Sequence, residues 1–176
     1  MWFVYYFTPA SIPSAHLLLL HYNMSQLIIY TDGSSRGNPG PGGYGIVMQW
    51  GSTVKELSQG YRLTTNNRME LLAVIVALES LTRPGIDVTI YTDSAYVVNS
   101  IEKKWVFGWA KKGFVGKKNA DLWARFLLIY KKHNVKMVWV KGHATNAGNN
   151  RCDALATEAA DSRKWLEDVG YEKETA

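Results

Sequence analysis

Four acidic residues stand where ordinary surface charge would be out of place. Asp32 and Asp93 each end an apolar run, Ile29-Tyr30-Thr31-Asp32 and Ile90-Tyr91-Thr92-Asp93. Glu70 lies in Arg68-Met69-Glu70-Leu71-Leu72-Ala73-Val74-Ile75, with Asn66 at i−4 and Val74 at i+4, so its own helix offers no Lys or Arg partner. Asp153 lies in Asn149-Asn150-Arg151-Cys152-Asp153-Ala154-Leu155-Ala156, another mostly apolar stretch. A buried carboxylate without a partner is costly or takes up a proton. Several gathered together repel one another unless a cation lies between them. Oxygen-only ligands suit Mg²⁺ or Mn²⁺, and the chain lacks the His and Cys that zinc favours. Each acid also has a plainer reading: Asp32 and Asp93 as turn or cap residues, Asp153 as a partner of Arg151 or Arg163. Glu70 is the hardest to explain that way, and the joint occurrence favours a cation site. His143, in the glycine-bounded loop Gly142–Gly148, is either a solvated bystander or a proton carrier beside that site.

The elements that must position these acids follow from the pattern around them. Leu27 to Thr31 reads as a buried strand, and the glycine- and proline-rich stretch Gly33 to Gly45 as a turn. Gly45 to Trp50 and Thr53 to Tyr61 follow as strands joined at Gly51-Ser52, and such short links make the first three strands antiparallel. Asn66 to Leu81 is a helix stopped by Pro84-Gly85. Ile86 to Thr92 is a strand, and Ser94 to Lys104 a helix with Asp93 or Ser94 near its cap. Residues 105–118 read as irregular or briefly helical. Ala120 to His133 is a helix, Lys136 to Val140 a strand and Asn149 to Ala160 a helix. The expected fold is α/β: a five-stranded mixed sheet, three antiparallel strands first, with helices packed on it. If the two Ile-Tyr-Thr-Asp strands lie side by side, their aspartates emerge at the sheet edge where ligands usually bind.

At 176 residues the chain suits one domain and can bury a core without disulfides, of which a single cysteine permits none within the chain. That count fits a reducing, cytoplasmic compartment. The net charge of +5 is unevenly spread. Residues 101–141 carry eleven Lys and Arg against two acids, so this segment is +9 and the remainder −4. The block is either a polyanion-binding surface or a solvated helical face. Residues 1–23 contain no charged Lys, Arg, Asp or Glu, and Pro9 and Pro13 break their apolar runs. They fall short of the roughly 20 residues needed to span a bilayer and fit neither a secretory signal nor a transit peptide. The expectation is a start-site overcall or a poorly ordered extension, with a membrane anchor the minor alternative, and a folded domain over 24–176.

Taken together, Tyr30-Thr31-Asp32-Gly33-Ser34, Gly37–Gly43, Thr65-Asn66-Asn67-Arg68-Met69-Glu70-Leu71, Tyr91-Thr92-Asp93-Ser94, Val140-Lys141-Gly142-His143-Ala144 and Asn149-Asn150-Arg151-Cys152-Asp153 resemble the type 1 ribonucleases H, in the bacterial ribonuclease HI form. The ordered set extends from about Gln26 to Tyr171. The resemblance implies the ribonuclease H-like fold, with helices on both faces of the sheet. It implies an endonuclease that hydrolyses the RNA strand of RNA·DNA hybrids with two Mg²⁺ ions, Mn²⁺ being able to substitute, and leaves 3′-hydroxyl and 5′-phosphate ends. Asp32, Glu70, Asp93 and Asp153 would be the metal-binding catalytic carboxylates. His143 would assist proton transfer or product release, and Asn149 would lie near the attacking water. Asn38, Asn66 and Asn67 would face the hybrid's minor groove, where an amide can both donate to and accept from a 2′-hydroxyl. Thr65 and Asn119 would lie near a DNA-phosphate pocket. Trp105, Trp109, Lys111, Lys112 and Phe114 would form the basic protrusion that grips the DNA strand, core packing being the alternative for both tryptophans.

Three departures accompany the resemblance. The protrusion is shorter between Phe114 and Lys118, Ala95 stands where glutamine is frequent, and Ser35 replaces a cysteine found in some members. None touches the four acids. Two other readings remain at this level: a nuclease of the same fold acting on structured DNA or double-stranded RNA, and a catalytically silent hybrid-binding module. The asparagine pair and basic protrusion argue against the first. The complete acid set argues against the second, since a binder gains nothing from four negative charges facing phosphates. A monomer is the default.

Overall fold

In the computed structural model, which describes residues 26–142 and 146–175, the two Ile-Tyr-Thr-Asp strands lie side by side. The first, β1 (Leu27–Ser35), runs parallel to β4 (Asp87–Thr92), pairing Ile29 with Ile90, Tyr30 with Tyr91 and Thr31 with Thr92. The two tyrosine rings stack with centroids 5.2 Å apart. The internal repeat is thus in register, and Asp32 and Asp93 leave the sheet at the same edge.

Around this pair stand β2 (Gly40–Trp50), β3 (Thr53–Thr64), β5 (Asn134–Trp139) and β6 (Trp165–Leu166), in the spatial order β5-β4-β1-β2-β3-β6. The first three strands are antiparallel neighbours, and β4 and β5 extend the sheet in parallel beyond β1. Six strands form where five were expected. The sixth is two residues long, pairing Trp165 and Leu166 with Gly60 and Tyr61, too short to leave a period-two pattern. The expected turn from Gly33 to Gly45 is also corrected, since β1 continues through Ser35 and β2 starts at Gly40.

Helix packing accounts for glycines inside those strands. Helix α1 (Asn66–Glu79) lies on one face, and a Cβ on Gly33 would collide with the backbone of Met69 and Glu70. Helix α5 (Ala147–Asp161) lies on the other, and a Cβ on Gly45 would strike the Cys152 carbonyl and approach Ala156 N to 2.9 Å. Glycine here marks close backbone approach, as well as turns. Sheet and helix therefore meet nearly backbone to backbone at the places where Glu70 and Asp153 are carried.

Three helices, α2 (Ala95–Glu102), α3 (Trp105–Lys111) and α4 (Ala120–Tyr130), lead from β4 to β5, and α6 (Val169–Thr175) ends the described chain. Residues 105–118, expected to be irregular or briefly helical, are thus helical over 105–111. The main core fills the space between the sheet, α1 and α4, around Ile29, Ile46, Ile75, Ile90, Trp123 and Phe126. Because α1 has the sheet on one side and α4 on the other, it is apolar over most of its length, and Arg68 is the charged residue among its buried ones. That guanidinium is 1% exposed and donates to both oxygens of Asp168 at 2.8 Å and to Asp121 at 2.8 and 2.9 Å. Thr64 adds a hydroxyl bond to Asp168 at 2.7 Å.

Candidate active site

The four acids reach one cavity from four elements. Asp32 comes from β1, Glu70 from α1, Asp93 from just beyond β4 and Asp153 from α5, and they line a space of about 290 Å³ with Gly33, Ser34 and Asn66. Asp32 is a strand residue rather than a turn residue, paired opposite Gly45, and its Oδ1 accepts the Gly33 N–H at 2.7 Å. Asp93 does not cap α2, because Ser94 holds that position and accepts the Val97 N–H at 3.2 Å. Arg151, one of the partners considered for Asp153, donates through Nε and Nη2 to the two oxygens of Glu56 on β3.

The crowding is felt as charge. Burial pushes the Asp32 carboxyl up to about 8, with the nearby Asp93, Asp153 and Glu70 charges adding to it and the Gly33 N–H opposing. Burial likewise raises Glu70 to about 7, aided by Asp93 and opposed by hydrogen bonds from Ser94 and Asn66. Asn66 Nδ2 donates to Glu70 Oε1 at 2.9 Å, so the i−4 neighbour supplies a donor, though not a charge. Asn149 is buried, reaches Asp93 Oδ2 through Nδ2 at 3.4 Å, and leaves its Oδ1 without a hydrogen-bond partner among the described residues.

This donor set fits a hard divalent cation. It is all oxygen, and two of its members, Asp32 and Glu70, are destabilised as anions by burial and by neighbouring carboxylates, Asp93 above all, the condition a cation relieves. No three acidic, His or Cys side chains among the described residues already close on one point. The acids line the walls of the cavity, the arrangement that mutual repulsion favours. His143 lies outside the described residues, as do residues 1–25.

A second cavity, of about 390 Å³, adjoins this one through the Asn66 backbone N–H, which donates to Asn38 Oδ1 at 3.2 Å. It collects Asn38, Thr65, Asn67 and Asn119 with Tyr96 and Lys118. Asn119 is fixed there by its Nδ2 to Tyr96 at 3.0 Å and its Oδ1 to Arg68 at 3.4 Å. A third, of about 380 Å³, is lined by Lys104, Trp105, Trp109, Lys112 and Lys117. Lys103 stands over the Trp105 ring at 5.1 Å and Lys117 over Trp109 at 5.3 Å, leaving aromatic faces and ammonium groups together at the surface. Trp105 is exposed, whereas Trp109 borders the groove and also meets Trp123 edge-on at 5.9 Å, so core packing accounts for part of that ring. Lys111 and Phe114 do not line this groove, and Phe114 packs against the core instead.

Two functional features escaped sequence reasoning. Ser94 bonds to Glu70 across 24 residues, which no local pattern reveals. Arg68 gathers the C-terminal segment, and a lone arginine in an apolar helix was its one visible signal.

By fold the chain stands with solved RNase H structures. LC9-RNase H1, described as a type 1 RNase H with the type 2 active-site motif, superposes with a TM-score of 0.72 at 31% identity, covering 87% of this chain and 82% of that one. LC11-RNase H1, solved in complex with an RNA/DNA hybrid, gives a TM-score of 0.54 at 26% identity, covering 78% and 98%. The chain belongs to the RNase H family, whose model matches residues 24–161, and to its bacterial ribonuclease HI type. A protein named Ribonuclease H from Syntrophus aciditrophicus is 52% identical over 153 residues, covering 83% of this chain and 87% of its own. Another from Serratia proteamaculans is 50% identical over 157 residues, covering 86% and 99%.

Proposed function

We propose that the chain, through a catalytic domain over residues 24–176, hydrolyses the RNA strand of RNA·DNA hybrids internally, leaving 3′-hydroxyl and 5′-phosphate ends. The observation that carries this is the meeting of four carboxylates from four elements in one cavity of an RNase H-family fold. Asp32, Glu70, Asp93 and Asp153 would hold two Mg²⁺ ions, with Mn²⁺ able to substitute; when bound, such ions activate the attacking water and stabilise the leaving oxygen.

The chain's own residues do the rest. Asn149, hydrogen-bonded to Asp93 and with its buried Oδ1 open among the described residues, would lie near the attacking water and accept a hydrogen bond from it. His143 serves proton transfer or product release. Asn38, Asn66 and Asn67 face the minor groove and recognise the 2′-hydroxyl by donating and accepting at once. Thr65 and Asn119 border the cavity that receives a DNA phosphate. Trp105, Trp109 and Lys112, with Lys111 and Phe114 on the same protrusion, hold the DNA backbone, and the groove adds Lys104 and Lys117 to that set. We take the working form to be a cytoplasmic monomer. The lone Cys152 is buried, with its thiol pushed well above its usual range by burial, as suits a structural thiol. Among the described residues no helix is long and apolar enough to cross a membrane.

One assay decides the reading. Labelled hybrid, RNA duplex, DNA duplex and single-stranded RNA are each incubated with Mg²⁺ or EDTA. Cutting of the RNA strand of the hybrid alone, abolished by EDTA, is expected. Equal cutting of the RNA duplex, or hybrid binding without cutting, would overturn it.

A further inference from the structure

Glu70 differs from the other three acids. Each aspartate has a short side chain close to the backbone, whereas Glu70 reaches the cavity through one more rotatable bond and must be held from outside. Two donors do this, Asn66 Nδ2 at Oε1 and the Ser94 hydroxyl at Oε2. They are not equivalent. Asn66 lies half-exposed on the cavity wall, free to exchange partners when a substrate arrives. Ser94 is 2% exposed, with its backbone N–H bonded to Thr92 Oγ1 at 3.2 Å. Its side-chain oxygen already accepts the Val97 N–H at the start of α2. With that lone pair committed to the helix, the hydroxyl proton is directed at Glu70.

A carboxylate offers about four lone-pair sites over its two oxygens. The two donors occupy one on each, leaving the others for the cavity. We propose that Ser94 is a positioning residue: by capping α2 and donating to Glu70 at once, it orients the Glu70 carboxylate so that its free lone pairs face the divalent cation. This deepens the reading of the site given above and rests on it. It also ties three elements together, since β4 ends at Thr92, Ser94 opens α2 and Glu70 belongs to α1.

The test separates orientation from helix capping. Glycine caps a helix nearly as well as serine but has no hydroxyl, and threonine keeps both functions. Mg²⁺ binding is followed by titration calorimetry and by the Mg²⁺-induced rise in melting temperature, alongside kcat and KM for a hybrid. For Ser94→Gly, Mg²⁺ affinity and kcat should each fall about 10-fold, as for other residues that orient metal ligands, with KM for the hybrid little changed. Ser94→Thr should restore both. Ser94→Ala lacks the hydroxyl and adds no charge, and carries the expectation of Ser94→Gly should that variant not fold, its weaker cap showing only in the melting temperature. Wild-type Mg²⁺ binding in Ser94→Gly or Ser94→Ala, or a Ser94→Thr variant as impaired as Ser94→Gly, would overturn the proposal. If the unaltered protein neither binds Mg²⁺ nor cuts hybrid, the reading of the site fails instead, and the two failures are distinct.

Discussion

Asp32 shows how far a functional residue can work against the fold that carries it. Its carboxyl titrates near 8 in the folded chain and near 3.9 when unfolded. Between those values the folded state holds a proton that the unfolded state has lost. The metal-free protein should therefore lose stability as pH rises from about 4 to about 8, the contribution being fully present below the unfolded value and gone above the folded one. Glu70, raised to about 7, adds to the same slope. Asp32→Asn should flatten the profile and raise metal-free stability at pH 8 by about 1–3 kcal/mol, while abolishing hybrid cleavage and sparing hybrid binding. Thermal melts in EDTA across that pH range measure the first effect, and gel shifts the last. A melt profile indifferent to Asp32→Asn would mean that the acid is solvated rather than buried. The four acids were legible in the sequence because each sits in an apolar setting that surface charge avoids. Their gathering was legible too, from the repeated strand for Asp32 and Asp93 and from the family resemblance for all four; what was not legible is the detail of the cavity, which depends on contacts between β1, α1, β4 and α5 separated by tens of residues.

At the scale of elements, the strands were legible from short apolar runs bounded by turn residues and the helices from composition, but glycine was misleading. Gly33, Gly43 and Gly45 look like turn residues in a linear reading, yet they lie inside paired strands where helices press on the sheet. Gly45→Ala should lower stability by about 2–3 kcal/mol and also reduce cleavage, because α5 would lift and carry Asp153 with it. Calorimetric melting and steady-state cleavage together check this, and a loss of stability with unchanged kcat would uncouple α5 packing from the site. The protrusion behaves differently, since its lysines are exposed and contribute little to folding. Lys104→Ala, Lys112→Ala and Lys117→Ala combined should reduce the slope of log affinity against log salt by about 2–3, close to one per phosphate contact, with the melting temperature nearly unchanged. Binding measured between low and moderate salt tests it, and an unchanged slope would move the DNA-contacting surface elsewhere.

Over the whole molecule, charge is divided between two sites of opposite sign: a basic groove on α3 and the following loop, and an acidic cavity at the sheet edge that needs cations before it meets a phosphate. The average of +5 conceals both. The same scale holds the Arg68 network, which sequence reasoning passed over because its partners are 53 and 100 residues away. Arg68→Met should cost about 3–5 kcal/mol, since it strands Asp168 in the interior, and denaturant melts will show it; a loss below about 1 kcal/mol would mean that Thr64 and the Tyr171 N–H suffice for that carboxylate. The network has a consequence for synthesis. Arg68 lies two residues before Glu70 on the same helix, and the buried acid that neutralises it, Asp168, is made near the end of the chain. On the ribosome, α1 must wait with its guanidinium short of its innermost partner until that aspartate emerges. Until then the guanidinium has Asp121 alone of the two acids, and a chain cut before Asp168 should fold less stably, with Arg68 one buried acid short beside the active site.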